Sequence, residues 1–306
     1  MPPVAAVPPH PTVLALAGPT GSGKTELGIA LAQRLGAEIV NADSRQIFRG
    51  LDIGSAKPTL EQRAVVPHHL FDVVAPDQPF DVARYRALAL AAVADITRRG
   101  RRVLLVGGTG LYLKVLRGGL FEGPPRNPAL RQELSAVEDA EAGALHRRLQ
   151  QVDSAAAARL HPNDRLRLIR ALEVFAATGR RLSQWQAEHR FGSRDLELRT
   201  IALAVPRDEL YRRIDRRCAA MLAAGMIDEV AGLLAAGYDP QLPAMRSTGY
   251  GEITDYLLGR CTLAEASERM ARATRQLAKR QLTWFRNDPT TRWCQPELEA
   301  LVEASS

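Results

Sequence analysis

Residues 18–25 read Gly-Pro-Thr-Gly-Ser-Gly-Lys-Thr. This is the G-x-x-x-x-G-K-[ST] spacing of a phosphate loop, with Gly18, Gly23, Lys24 and Thr25 at the fixed positions. The glycines let the backbone bend until successive N–H groups converge on phosphate oxygens. A following helix adds the positive end of its dipole, Lys24 supplies a point charge, and the Thr25 hydroxyl is suited to Mg²⁺. The whole run (Gly18, Pro19, Thr20, Gly21, Ser22, Gly23, Lys24, Thr25) is therefore expected to hold a di- or triphosphate. Two other residues stand where strand ends are expected: Asp43 after Ala37–Ala42, and Thr109 after Val103–Val106 and two glycines.

The elements that must position these residues are legible from periodicity. Val13–Ala17, Ala37–Ala42, Val103–Val106 and Thr200–Val205 are apolar runs of strand length, and His69–Val74 is expected to be a further strand. Glu26–Leu35 and Phe80–Arg99 read as helices between them. Strands alternating with helices imply a parallel sheet covered on both faces. Ligands of such sheets sit at the carboxyl ends of the strands, so the phosphate loop, Asp43 and Thr109 are expected to face one crevice. From about Leu120 to Arg199 helical segments follow one another without strands, which reads as an all-helical insertion. The expected division is a disordered tail over 1–11, a core of 12–119 and 200–290 ending in helices, and an insertion over 120–199. A polar tail is expected after Arg286.

Phosphate-loop hydrolases pair the loop with an acid ending a neighbouring apolar strand. Here Val103–Val106 runs into Gly107-Gly108-Thr109 instead, leaving Asp43 and Asp72 as the acids near strand ends. A motor or switch is not expected. A small-molecule or nucleoside kinase using Asp43 as base remains the alternative.

Whole-chain properties narrow the class. The 306 residues are 46% hydrophobic and 25% charged, ordinary for a soluble globular protein, and no apolar run reaches spanning length. Three scattered cysteines suggest no disulfide framework, so a reducing, cytoplasmic setting is expected. A net charge of +7 fits a polyanionic partner, although the chain has only four lysines and an arginine-rich composition gives the same sum. No obligate protein partner is evident, and a monomer is expected.

Further blocks carry a resemblance. Asp43-Ser44-Arg45-Gln46, Leu51–Pro58, Gly107–Tyr112, His161–Asp164 and Thr274–Arg286, taken with the phosphate loop, resemble the bacterial tRNA dimethylallyltransferases over roughly Gly18 to Arg286. The resemblance implies a P-loop NTPase-like α/β fold. It implies transfer of a dimethylallyl group from dimethylallyl diphosphate to N6 of the adenosine beside the anticodon (position 37) of tRNA. Asp43 would be the base, with Lys24, Thr25, Mg²⁺ and Arg213 on the departing diphosphate. The tRNA anticodon stem-loop would meet Asp43, Ser44, Arg45, Gln46, Thr109, Arg131, Arg167, Arg170, Arg246, Gly249, Tyr250, Arg275, Lys279, Arg280, Trp284 and Arg286. The target base would flip into a crevice between core and insertion. The sequence departs from the family pattern at Ile47-Phe48, at Leu166 and at Gly251, where a basic residue is usual.

The last block also reads on its own. Met270, Ala273, Leu277 and Trp284 share one helical face, and Arg272, Arg275, Lys279 and Arg286 repeat that spacing roughly 200° away. A solvated face usually mixes signs. This one does not, so contact with RNA phosphates is expected.

Overall fold

A computed structural model describes residues 11–120, 123–189 and 195–305. The expected disordered tail lies almost wholly outside them. The chain forms two compact units, Met1–Arg117 with Arg194–Ser306, and Gly118–Ser193.

The first unit is a six-stranded sheet built from β1 (Thr12–Ala17), β2 (Ala37–Asn41), β3 (His68–His69), β4 (Arg102–Gly107), β5 (Glu197–Leu203) and β6 (Thr291–Cys294). Their order is β3-β2-β4-β1-β5-β6, and every pairing is parallel. Period-two alternation sends Val13, Ala15, Ala17, Val103 and Leu105 to one face and Leu16, Ile39, Leu104 and Ile201 to the other. The helices of the first half are α1 (Lys24–Leu35), α2 (Leu60–Val65), α3 (Val82–Arg98) and α4 (Gly110–Gly118). α3 and α4 residues pack on the first face and α1 on the second.

The second unit consists of α5 (Pro128–Ala140), α6 (Ala144–Val152), α7 (Ser154–Ala157), α8 (Arg165–Thr178) and α9 (Leu182–His189). Its own core includes Leu134, Leu145, Leu149, Leu168 and Leu172. Glu197–Arg199, expected in this insertion, instead extend β5 and pair with Thr12–Leu14.

The chain returns through α10 (Arg207–Ala223), α11 (Met226–Ala235), α12 (Tyr250–Leu257), α13 (Leu263–Arg286) and α14 (Leu298–Ala304). α10 to α13 share a third core with Ile47, Phe48 and Leu51.

Two expectations fail. His69–Val74 is not a continuous strand: only His68–His69 join the sheet, Leu70 and Asp72 adopt φ of 63° and 56°, and Val74 makes an isolated bridge with Phe48. Asp72 there is bound by Lys57 and Arg63, so it takes no part in the crevice. The polar tail is also wrong. Thr291–Cys294 joins the sheet beside β5, and Leu298, Leu301 and Val302 of α14 pack in the core beneath α1. Their i, i+3, i+4 spacing was the available signal.

Candidate active site

Elements of the first unit enclose a cavity of about 300 Å³ at the carboxyl ends of the strands. The phosphate loop forms one wall with Thr20, Lys24 and Thr25. The segment after β2 contributes Asp43, Ser44, Arg45 and Gln46, and the turn after β4 contributes Gly107, Gly108 and Thr109. α10 and α13 close the opposite side with Arg217, Met221, Met270, Leu277 and Arg280. The expected convergence of phosphate loop, Asp43 and Thr109 is therefore observed.

Lys24 Nζ donates to the Pro19 carbonyl at 2.7 Å. Burial lowers its pKa to about 8. Asp43 opposes that shift and Arg217 adds to it, which places all three charges within electrostatic reach of one another. Arg217 is drawn below the ordinary guanidinium value by burial, again with Asp43 opposing.

Asp43 is held by its surroundings. Its N–H donates to Asn41 Oδ1 at 2.9 Å, Asn41 Nδ2 donates back to the Asp43 carbonyl at 3.1 Å, and the carboxylate Oδ1 accepts the Arg45 N–H at 2.8 Å. Asn41 is itself buried, and its carbonyl accepts the hydroxyl of Tyr85 at 3.0 Å. Thr109 Oγ1 accepts the Ser44 N–H at 3.0 Å, so this hydroxyl ties the segments after β2 and β4 together. That leaves its hydrogen to offer to a ligand.

Arg213 does not reach the cavity. Its Nε donates to Glu209 Oε1 at 2.8 Å, one turn back on α10, while Arg217, four residues on, lines the crevice. Both arginines share a helical face in the sequence, and only the second lines the cavity.

The residues expected to meet RNA divide by what already holds them. Ser44, Arg45, Thr109, Gly249 and Arg280 line the cavity, as does Gln46, whose amide nitrogen donates to the carbonyls of Ser55 and Ala56. Lys279, Arg280 and Arg286 are exposed and pair with no carboxylate among the described residues. Arg167 and Arg246 bond Asp164 and Asp255 at 2.8 and 2.9 Å, and Arg275 bonds Asp215. Exposed pairs of this kind are worth little and exchange readily for phosphate.

Other expected residues are engaged within the fold. Arg131 and Arg170 both bind Glu173, whose side chain is fully buried, so releasing either strands a carboxylate. Tyr250 is 1% exposed, and its hydroxyl donates to Glu229 Oε1 at 2.6 Å. Glu229 also accepts the N–H groups of Asp52, Ile53 and Gly54, so this pair supports the Gly54–Ala56 wall of the cavity. Trp284 packs inward against the start of α4, where a Cβ on Gly110 would lie 2.1 Å from the indole. The fully buried stripe of α13 runs through Ala266, Met270, Ala278, Leu282 and Phe285. The expected stripe is its crevice-facing edge, since Met270 and Leu277 line the cavity.

For a metal, the cavity offers the Thr25 hydroxyl and the Asp43 carboxylate, both hard oxygen donors. No group of three or more His, Cys, Asp or Glu is placed to hold an ion among the described residues. Such a donor set fits Mg²⁺, which keeps waters and borrows substrate phosphates, better than an all-protein metal site.

Fold and site together define a phosphate-loop α/β protein whose cavity pairs the loop after β1 with an aspartate at the end of β2, one strand removed across β4. The chain belongs to the IPP transferase family, whose model matches residues 46–288. It is 54% identical over 277 residues to a protein of Geobacter sulfurreducens named tRNA dimethylallyltransferase, covering 90% of this chain and 89% of that one. The full-length tRNA isopentenylpyrophosphate transferase of Bacillus halodurans superposes with a TM-score of 0.71 at 38% identity, covering 96% of this chain and 94% of the other. A eukaryotic dimethylallyltransferase acting on tRNA gives a TM-score of 0.74 at 29% identity, over 90% of this chain and 70% of the other.

Proposed function

We propose that this protein transfers the dimethylallyl group of dimethylallyl diphosphate to N6 of an adenosine next to the anticodon of tRNA, at position 37, releasing diphosphate. The carrying observation is the placement of Asp43 on the same cavity as Lys24 and Thr25. The N6 lone pair is delocalised into the purine ring, so the amine needs a base as it attacks. The N6–carbon bond forms as the allylic carbon–oxygen bond breaks. The N6 proton passes to Asp43, and the bonding electrons leave with the diphosphate.

The charge gathering on that leaving group is met by the loop N–H groups, Lys24 and Arg217. Thr25 would hold Mg²⁺ together with diphosphate oxygens and water. When bound, the ion would neutralise part of the leaving group's charge. Exposed Lys279, Arg280 and Arg286 on α13 suit phosphates of the anticodon stem-loop. Unstacked loop bases are the part of an RNA that a protein reads directly. No single helix among the described residues is long and apolar enough to cross a membrane.

The test is mass spectrometry of nucleosides from tRNA incubated with the protein and dimethylallyl diphosphate, alongside a reaction with ATP and candidate hydroxyl acceptors. Prenylated adenosine is expected in the first and no phosphorylated acceptor in the second. The Asp43→Ala variant is expected to lose nearly all turnover while still binding pyrophosphate. Wild-type turnover in that variant overturns the assigned base.

A further inference from the structure

One side chain of α13 holds two backbone points of the cavity at once. Gln281 Oε1 accepts the N–H of Thr20, in the phosphate loop, at 2.8 Å. Its Nε2 donates to the carbonyl of Gly108, in the turn between β4 and α4, at 3.0 Å. The approach is close: a Cβ on Gly108 would lie 2.3 Å from Gln281 Nε2, so any side chain there would expel the amide. Among side chains of this length, a carboxylate only accepts and an apolar chain does neither, while a primary amide accepts and donates together.

The two points belong to the two halves of the site. Thr20 lies in the loop that grips the diphosphate. Gly108 precedes Thr109, whose hydroxyl accepts the N–H of Ser44, the neighbour of Asp43. Donor and acceptor are thus carried on separate loops, and the Gln281 amide bridges those loops directly.

We propose that Gln281 is a positioning residue that fixes the spacing between the diphosphate cradle and the acceptor turn, and so acts on the rate of transfer rather than on the binding of either substrate. The proposal rests on the function given above. Each loop keeps its own contacts without the bridge: the phosphate loop still opens α1, and Thr109 still bonds Ser44. What is lost is their mutual registration, and a misplacement of about 1 Å between reacting groups costs on the order of a hundredfold in rate.

The experiment compares wild type with Gln281→Met, which keeps length and removes both bonds, and Gln281→Glu, which keeps an acceptor for Thr20 and sets an oxygen against the Gly108 carbonyl. Single-turnover prenylation at saturating substrates is expected to fall at least tenfold in both. In Gln281→Met, KM for tRNA and for dimethylallyl diphosphate, and the affinity for inorganic pyrophosphate, are expected to stay within about threefold. Hydrogen exchange is expected to quicken in peptides containing Thr20 and Gly108–Thr109. A wild-type single-turnover rate in Gln281→Met, or a loss confined to the KM of one substrate, overturns the proposal. Should Gln281→Met fail to fold, Gln281→Glu decides by the same rate. If wild type itself yields no prenylated adenosine, the assigned function falls. The bridge is then judged by hydrogen exchange alone, where unchanged exchange in the variant overturns it.

Discussion

Asn41 holds Asp43 from both sides of its own peptide: the Asn41 side chain accepts the Asp43 N–H at 2.9 Å and donates to the Asp43 carbonyl at 3.1 Å. The same amide nitrogen also donates to the Leu70 carbonyl at 3.0 Å, so three backbone groups depend on one buried residue. Asn41→Ala leaves them without partners, at a cost of about 2 kcal/mol or more of stability. It also frees Asp43 to turn. The expected outcome is a kcat lowered on the order of ten- to a hundredfold, with pyrophosphate affinity unchanged within about twofold. Steady-state kinetics and calorimetry on the folded variant check it. A kcat equal to wild type would show that Asp43 does not need this brace.

Arg217 and Arg213 separate two roles that the sequence leaves together. Arg217 lines the cavity, whereas Arg213 is engaged with Glu209. Replacing Arg217 with Gln is expected to weaken pyrophosphate binding about tenfold or more, since a partly desolvated cation facing a polyanion is lost. Arg213→Gln removes one half-buried i, i+4 pair outside the cavity and is expected to change affinity less than about twofold. Equal losses in the two variants, measured by titration calorimetry, would return Arg213 to the diphosphate.

The difference between these arginines shows where sequence legibility ends. The four inner strands, the phosphate loop and the facing of Asp43 and Thr109 are readable, because strand period, loop spacing and the strand-end rule are local properties of the chain. Asn41 and Gln281 were not singled out, since their contributions are hydrogen bonds to backbone atoms that are near only after folding. The internal partners of Arg131, Arg170 and Tyr250 are not legible, because neither the buried Glu173 nor Glu229 announces its contacts in sequence. Asp72 reads as a strand-end acid, yet positive φ at Leu70 and Asp72 breaks the strand.

Glu173 organises the helical unit. Its buried carboxylate accepts from Arg131 Nε at 2.8 Å, from Arg170 at 2.6 Å and from the Asn127 N–H at 2.7 Å. Burial alone would raise its pKa. The two arginines and the backbone donor overcome that and hold it at about 2, below the ordinary 4.5. The carboxylate therefore adds stability that is complete above about pH 4.5 and is lost as pH falls towards 2. That contribution is worth about 3 kcal/mol. Glu173→Gln is expected to lower the melting temperature at pH 7 and to flatten its fall between pH 4.5 and 2. A variant melting curve parallel to wild type over that range would remove Glu173 from the account.

Lys24 makes grip on the diphosphate depend on pH. Burial lowers the pKa of its ammonium to about 8, against 10.5 for the free side chain. The fold thus bears a cost for the desolvated cation below pH 8, which is relieved as pH climbs towards 10.5. A bound polyanion favours the charged form and raises the pKa again. Binding above pH 8 must therefore take up a proton, close to one per site at pH 9 and far less at pH 7. Affinity for pyrophosphate is expected to fall by up to about tenfold per pH unit above 8 once the ligand's own titration is removed. Lys24→Arg supplies that correction, because a guanidinium stays charged throughout and its profile reports the ligand alone. Calorimetry in two buffers of different ionisation enthalpy counts the protons directly. Parallel profiles for wild type and Lys24→Arg, with no proton uptake at pH 9, would mean that Lys24 is already fully charged before the ligand binds.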